Sequence, residues 1–291
     1  MIPAAFDYMD PTNLSEVIDI LKERGNDAKL MAGGMSLLPL LKLRFVEPKI
    51  IVDLWKVPGL SYIKDMGQYL AIGAMTTHYE IEASELIKAK CPILIEAAKV
   101  IGSPQVRNLG TIGGNLVHAD PAADYPPVLV ALGKGTSVKV QGPSGERTIP
   151  LEKFFVGVFE TQLNPNEVLT EIQVPVQKKK TGYAYLKMSR RGSDPGIVNV
   201  AIIARQSGSG VLEDMSVILG SVTNTPVHAY KTEELLRGKR IDAINLDEAV
   251  EMAADGLEPT STVQADAQYR LDVTPVRVKQ ALISSFSLMI H

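Results

Sequence analysis

An apolar run ends at Ala32, two glycines follow, and an amphipathic run then continues from Ser36 to Arg44. That order reads as strand, tight turn, helix. Gly33 and Gly34 admit φ > 0 and present no Cβ to an approaching ligand. Ser36 is the expected N-cap, and Pro39 falls in the first helical turn, where its missing N–H is no loss. Unpaired N–H groups at such a helix start, at the positive end of its dipole, suit a phosphate. Taken alone, one Gly-Gly step is more often a tight βα turn with no ligand.

The rest of the chain narrows the chemistry. Its 291 residues suit two or three lobes, and 45% hydrophobic with 22% charged residues is ordinary for a globular protein. A net charge of −3 gives no electrostatic footprint for nucleic acid. A single cysteine, Cys91, excludes an internal disulfide, a four-thiolate zinc site and an iron–sulfur cluster within the chain. His78, His118, His228 and His291 are scattered without metal-ligand spacing. No signal-peptide pattern opens the sequence and no apolar run reaches membrane-spanning length, so a cytoplasmic protein is expected.

Residues 1–57 read as a small parallel α/β lobe. Phe6–Met9 is extended, Thr12 or Asn13 caps a helix with Leu14, Val17, Ile18 and Leu21 on one face, and Gly25 stops it. Strands follow at Lys29–Ala32 and Ile50–Leu54, flanking a helix at Leu37–Arg44. Trp55 is expected to pack. Residues 58–177 read as a mainly antiparallel α+β lobe. It has a hairpin around Asp65-Met66-Gly67, a helix capped by Thr76 or Thr77, a helix at Pro92–Ile101 and an irregular stretch at Gly102–Asn115. Further on come an apolar helix or strand at Val128–Leu132, a hairpin turn at Gly142–Gly145 and a strand at Val168–Val174. Lys178–Lys180 with Thr181-Gly182 reads as a linker. Residues 178–291 carry strands at Tyr183–Lys187, Val198–Arg205 and Met215–Leu219, with a turn at Ser207–Gly210. Helices at Thr232–Leu236, Asp247–Ala254 and Pro275–Met289 complete a three-stranded α+β lobe.

A second glycine stretch, Arg107-Asn108-Leu109-Gly110-Thr111-Ile112-Gly113-Gly114-Asn115, lies in the middle lobe. Backbone N–H groups in such turns form anion-binding concavities, and two of them could hold a long cofactor with two phosphates. Here a family resemblance enters. Ala32–Pro39 with Lys42-Leu43-Arg44 resembles the first flavin-binding motif of the medium subunits of molybdenum hydroxylases, the carbon monoxide dehydrogenase and xanthine dehydrogenase family. Arg107–Asn115, followed by His118–Asp124, resembles their second motif. Tyr185-Leu186-Lys187 with Arg190-Arg191 resembles the start of their C-terminal domain. The motifs occur in the family's order and separation.

The resemblance implies a three-lobe FAD-binding fold of the p-cresol methylhydroxylase type, with non-covalent FAD extended between the first two lobes. It assigns to the cofactor Lys29, Leu30, Met31, Ala32, Gly33, Gly34, Met35, Ser36 and Leu37 from the first stretch. Ile101, Gly110, Thr111, Gly113, Gly114 and Asn115 follow, and then Asp124, Leu169 and Lys187. Ala32–Ser36 would surround the pyrophosphate, while Thr111, Gly113, Gly114 and Asn115 would complete the phosphate and ribityl contacts. Ile101 would be an apolar neighbour, Asp124 a ribose or adenine-side polar contact, and Leu169 a packing surface for adenine. Lys187 would bring positive charge to the isoalloxazine ring. Met35 stands where many relatives carry His or Gln, and His78 and Cys91 lie outside the motifs. Tyr183 or Tyr185 could cover a flavin face, Arg107 could neutralise a phosphate, and Arg190-Arg191 could meet an acidic partner.

The function implied is electron transfer from an iron–sulfur small subunit, through FAD, to an external acceptor. Molybdopterin and 2Fe-2S clusters would sit only in the large and small partner subunits of a dimer of heterotrimers. No catalytic acid or base stands out. A free-standing flavin oxidoreductase and a flavin-free structural subunit are the two other readings of the same motifs.

Overall fold

The computed structural model describes residues 1–291 apart from Lys179, Ser209 and His291. The middle of the basic run, one residue of the Ser207–Gly210 turn and one of the four histidines therefore lie outside the described residues.

The N-terminal sheet is parallel throughout, in the order β1-β3-β2. Its strands are β1 (Asp7–Met9), β2 (Ala28–Met31) and β3 (Ile50–Asp53). Helix α1 (Leu14–Arg24) is capped by Asn13, whose side chain accepts from the Glu16 N–H at 2.9 Å. It buries Val17, Ile18 and Leu21 against the sheet and ends where Gly25 turns to φ +52°. Helix α2 (Leu37–Leu43) follows the first glycine pair. Trp55 is 57% exposed and is therefore no packing residue. The Asp53 carboxylate, which accepts the Trp55 N–H and the Tyr8 hydroxyl, fixes the backbone there instead.

The middle region is built on an antiparallel sheet, β4-β5-β10-β6-β7. Strands β4 (Ile63–Asp65) and β5 (Tyr69–Gly73) form the first hairpin. Five short helices come next: α3 (His78–Glu82), α4 (Glu85–Lys90), α5 (Ile93–Lys99), α6 (Pro104–Leu109) and α7 (Ile112–His118). Helix α8 (Tyr125–Ala131) precedes β6 (Ser137–Gly142) and β7 (Gly145–Pro150). A small hairpin, β8 (Phe155–Gly157) with β9 (Glu160–Thr161), leads to β10 (Val168–Pro175). The stretch 102–115, expected to be irregular, thus holds all of α6 and the start of α7. Six or seven residues make under two turns, too few to show a period, and such helices depend on tertiary contacts.

The C-terminal sheet runs β11 (Thr181–Met188), β12 (Val198–Gln206), β13 (Leu212–Gly220) and a fourth, two-residue strand, β14 (Val227–His228). Thr181 and Gly182 already belong to β11, not to a linker. Helices α9 (Tyr230–Leu236), α10 (Leu246–Glu251) and α11 (Ala267–Ile290) follow. The last helix begins well before Pro275 and runs through it. Arg270, buried in its first turn, donates to the Ile197 and Ser221 carbonyls and to Thr262 Oγ1. That anchoring offsets an interior proline, which costs about 3 kcal/mol.

Strand periodicity explains how the sheets join. Tyr185, Ala201 and Ile218 lie in register across β11, β12 and β13 and pack into the core of the middle region. Their neighbours Ala184, Val200, Ile202, Val217 and Leu219 pack into a second core with α11. The C-terminal sheet is therefore buried on both faces, which is why the middle of β12, residues 200–204, reads as a continuous apolar run. The same alternation sends Tyr185 and Lys187 to one side, toward the middle region.

Candidate cofactor site

The two glycine stretches touch. A Cβ built on Gly33 would sit within the carbonyl of Leu109 and 2.9 Å from Gly110 Cα. One on Gly114 would lie 3.5 Å from the Ala32 Cβ. Gly34 adopts φ +71°, a conformation that favours glycine. Glycine at 33 thus lets the backbone after β2 meet the backbone at the end of α6, and glycine at 34 reverses the chain at their junction.

Ser36 does not cap α2. Its backbone is already helical, and its side chain makes no capping bond. The turn is closed by the backbone, with Leu38 N–H donating to the Gly34 carbonyl at 2.9 Å. The N–H groups of Gly33, Gly34, Met35, Ser36 and Leu37 donate to no protein acceptor among the described residues. Five consecutive free donors on a half-exposed turn fit a diphosphate.

The second stretch works differently. Gly113 N–H donates to the Ala74 carbonyl at 2.9 Å, and Gly114 N–H donates to Thr111 Oγ1 at 3.1 Å. Both amides are engaged inside the protein, so this pair does not form the expected anion concavity. Gly113 is needed for close approach, since a Cβ there would meet Ala74 Cβ at 2.6 Å. Thr111 caps α7, and Asn115 on that helix holds a buried Oδ1 with no protein partner among the described residues. An unpaired buried acceptor is costly, and a ligand hydroxyl opposite the first turn would satisfy it. The residues fit FAD: free amides for its diphosphate, an orphan acceptor for a hydroxyl, and no side chain where the two stretches meet.

Asp124, Ile101 and Lys187 come together in another way. Asp124 accepts the Tyr185 hydroxyl on Oδ1 at 2.6 Å and Lys187 Nζ on Oδ2 at 3.1 Å. The Asp124 and Lys187 side chains are only 6% and 5% exposed. Lys187 also donates to the Val100 carbonyl at 3.0 Å, next to Ile101. Burial pushes the Asp124 carboxyl up, with Lys187 and Tyr185 pulling the other way. The carboxylate thus joins the C-terminal sheet to the middle region. A buried carboxylate is held by its counter-charge, and both oxygens here are engaged. The Lys187 ammonium, expected to bring positive charge to the isoalloxazine ring, is here paired with Asp124.

Arg107, considered for a phosphate, pairs with Glu82 at 2.9 Å and donates to the Ile101 and Gly102 carbonyls. Leu169 is 5% exposed in the middle core. Its neighbour Thr170 is linked to the second glycine pair through the backbone: the Thr170 carbonyl accepts Ala74 N–H, and the Ala74 carbonyl accepts Gly113 N–H. Lys29 and Leu30 lie on β2, and Met31 ends it just ahead of the turn.

Two family models match: the FAD binding domain of molybdopterin dehydrogenases over residues 4–177, and the carbon monoxide dehydrogenase flavoprotein C-terminal domain over residues 183–285. The medium chain of carbon monoxide dehydrogenase from Hydrogenophaga pseudoflava is 38% identical over 291 residues, covering 99% of both chains. The chain belongs to the medium subunits of the molybdenum hydroxylases. The 6-hydroxypseudooxynicotine dehydrogenase complex subunit alpha of Paenarthrobacter nicotinovorans is 37% identical, covering 97% of this chain and 95% of that one. Among solved structures, quinoline 2-oxidoreductase from Pseudomonas putida 86 superposes with a TM-score of 0.93 at 31% identity, covering 99% of this chain and 100% of that one.

In this medium subunit His78 is a neighbour of the second glycine stretch that the sequence motifs do not include. Its N–H donates to the Gly110 carbonyl at 2.9 Å, and a Cβ on Gly110 would lie 2.8 Å from its Nε2. Its ring centroid is 5.4 Å from that of Tyr125. The capping box Thr77–Glu80, legible in sequence, is the available signal for a helix start there. Burial, with a smaller push from Arg107, holds the imidazole down to about 4 from an ordinary 6.5. The folded state therefore resists a proton that the unfolded chain accepts. The stability His78 confers is complete above pH 6.5 and is lost as pH falls from 6.5 toward 4, by about 3 kcal/mol in all. Urea unfolding at pH 7 and pH 4.5 should show this loss, and a His78→Gln variant should flatten that part of the profile.

Proposed function

We propose that this chain is the FAD-carrying electron relay of a molybdenum hydroxylase complex. It would take electrons from an iron–sulfur small subunit and pass them to an external acceptor, while a molybdopterin-binding large subunit oxidises the substrate. The observation that carries this reading is the set of free N–H donors at Gly33–Leu37 facing the Gly114–Asn115 segment, within a chain matched by an FAD-domain model.

In this reading the amides of Gly33–Leu37 hold the pyrophosphate and Asn115 Oδ1 accepts from a ribityl hydroxyl. Thr111 and Gly113 shape the wall, while Asp124, Tyr185 and Lys187 fix the Val100–Ile101 backbone that borders the site. Bound FAD would supply a carrier able to take electrons singly and release them in pairs. The protein's part is to orient that carrier, exclude water from it and present its edge to a partner. Lobes at 1–57, 58–177 and 178–291, a dimer of heterotrimers and a cytoplasmic location complete the proposal. Among the described residues no helix is long and apolar enough to cross a membrane. Relatives of similar length and coverage carry names that refer to carbon monoxide, glyceraldehyde and nicotine, so substrate choice is assigned to the large subunit.

The test is reconstitution. Purified chain incubated with FAD and desalted should absorb near 370 and 450 nm, about one flavin per chain, released by denaturation because the cofactor is non-covalent. Absence of bound flavin at micromolar FAD would remove the proposal. Reduction of the bound flavin by a small substrate, with no partner present, would favour a free-standing oxidoreductase.

A further inference from the structure

A cleft of about 550 Å³ lies between the loop after β11 and the exposed side of α11. Its floor is apolar, formed by Met188, Val273 and Val276. Three guanidinium groups border it, Arg190 and Arg191 from the loop and Arg277 from the helix, and no carboxylate lines it among the described residues. None of the three arginines is in an ion pair among the described residues. Arg277 is half-buried, yet its partners are neutral: the Lys187 carbonyl at 2.9 Å and Gln280 Oε1 at 2.7 Å. Its Nε is buried without a partner.

A half-buried guanidinium without a counter-ion is an expensive arrangement, and guanidinium forks match carboxylate and phosphate oxygens. Two more cations on the facing loop raise the local potential further. Lys88 faces Glu85 and Arg147 faces Glu167, whereas Arg270, which also lacks an acidic partner, is enclosed by the Ile197 and Ser221 carbonyls. The cleft combines converging positive charge with an apolar floor of ligand-binding size. We infer that it is a binding site for a small organic anion, a carboxylate or phosphate carried on an apolar or aromatic body. The inference is independent of the flavin reading, since none of the cradle residues except Lys187, through its backbone carbonyl, takes part.

Calorimetric titration of the full chain with naphthalene-2-carboxylate and with the uncharged naphthalene-2-carboxamide tests it. The carboxylate should bind with one equivalent, and the amide at least about tenfold more weakly. Arg190→Gln combined with Arg191→Gln, at exposed residues whose side chains bond to nothing among the described residues, should weaken the carboxylate by about tenfold or more. Arg277→Gln should do the same, and the loop variant keeps the test decisive if that change disturbs the β11–α11 contact. Equal affinity for acid and amide, no binding of either, or an unchanged affinity in the loop variant would overturn the site. Preference for a hexaglutamate peptide over the naphthoate would overturn it too, by making the cleft a docking surface for an acidic chain.

Discussion

Gly33→Ala is expected to raise the dissociation constant for FAD by about 100-fold. The added Cβ would lie 2.5 Å from the Leu109 carbonyl carbon and 2.9 Å from Gly110 Cα. Both neighbours are backbone, fixed in turn by Val106, whose carbonyl accepts Gly110 N–H, and by His78, which donates to the Gly110 carbonyl. No rotamer change can relieve such a clash, so one glycine stretch must move away from the other. Overpacking of this kind costs about 1–3 kcal/mol of stability. The larger effect is on the site, because a shift of about 1 Å takes the Gly33–Leu37 donors out of register with a ligand held against Asn115. Gly192→Ala, where a Cβ would meet nothing within 4 Å, is the control and should be silent in FAD titration and in urea unfolding. A Gly33→Ala variant with an FAD affinity within about twofold of the parent would remove this turn from the site.

Lys187→Met should be strongly destabilising. It strands the Asp124 carboxylate in a buried position with only the Tyr185 hydroxyl as partner. Breaking one side of a buried pair typically costs about 3–5 kcal/mol, the loss expected in urea unfolding at pH 7. Replacing both members, Lys187→Met with Asp124→Asn, should recover most of that loss, because no net charge then remains unpaired. The pH dependence gives a second readout. Burial already raises the Asp124 carboxyl above its ordinary value of 3.8, and Lys187 is the main influence lowering it. Without Lys187 the folded-state value rises further above the unfolded one. The variant should therefore be least impaired below pH 3.8 and lose stability as pH climbs through the raised folded value. A loss that is equal at acid and neutral pH would show that Lys187 acts through packing and not through its charge.

Features set by near neighbours in the chain are legible in the amino-acid sequence. The order of β2, glycine turn and α2 follows from a hydrophobic run, two residues that permit reversal and an amphipathic run, all within some fifteen residues. The Asn13 and Thr77 caps are legible for the same reason, since each depends on a residue three positions away. The helices α6 and α7 are not, because their short length hides any period and their register comes from Thr76, Ala74 and His78 on another element. Trp55 departs from expectation because an aromatic after a strand packs only if another surface covers it, and its ring stays largely exposed.

The site divides along the same line. Two glycine steps, their flanking residues and the order of the motifs carried by themselves the resemblance to the family, and through it the kind of cofactor, because close backbone approach leaves its mark on the residues at the turn. Only the tertiary structure decided which amides are free to donate. Those of Gly33–Leu37 are, whereas those of Gly113 and Gly114 are held by Ala74 and Thr111. It also brought Asp124 and Lys187, 63 positions apart, together as one buried pair. The physical reason is range. Backbone conformation is set by neighbours in the chain, while the fate of a hydrogen-bond donor or a charge is set by whatever folding brings against it once water has gone.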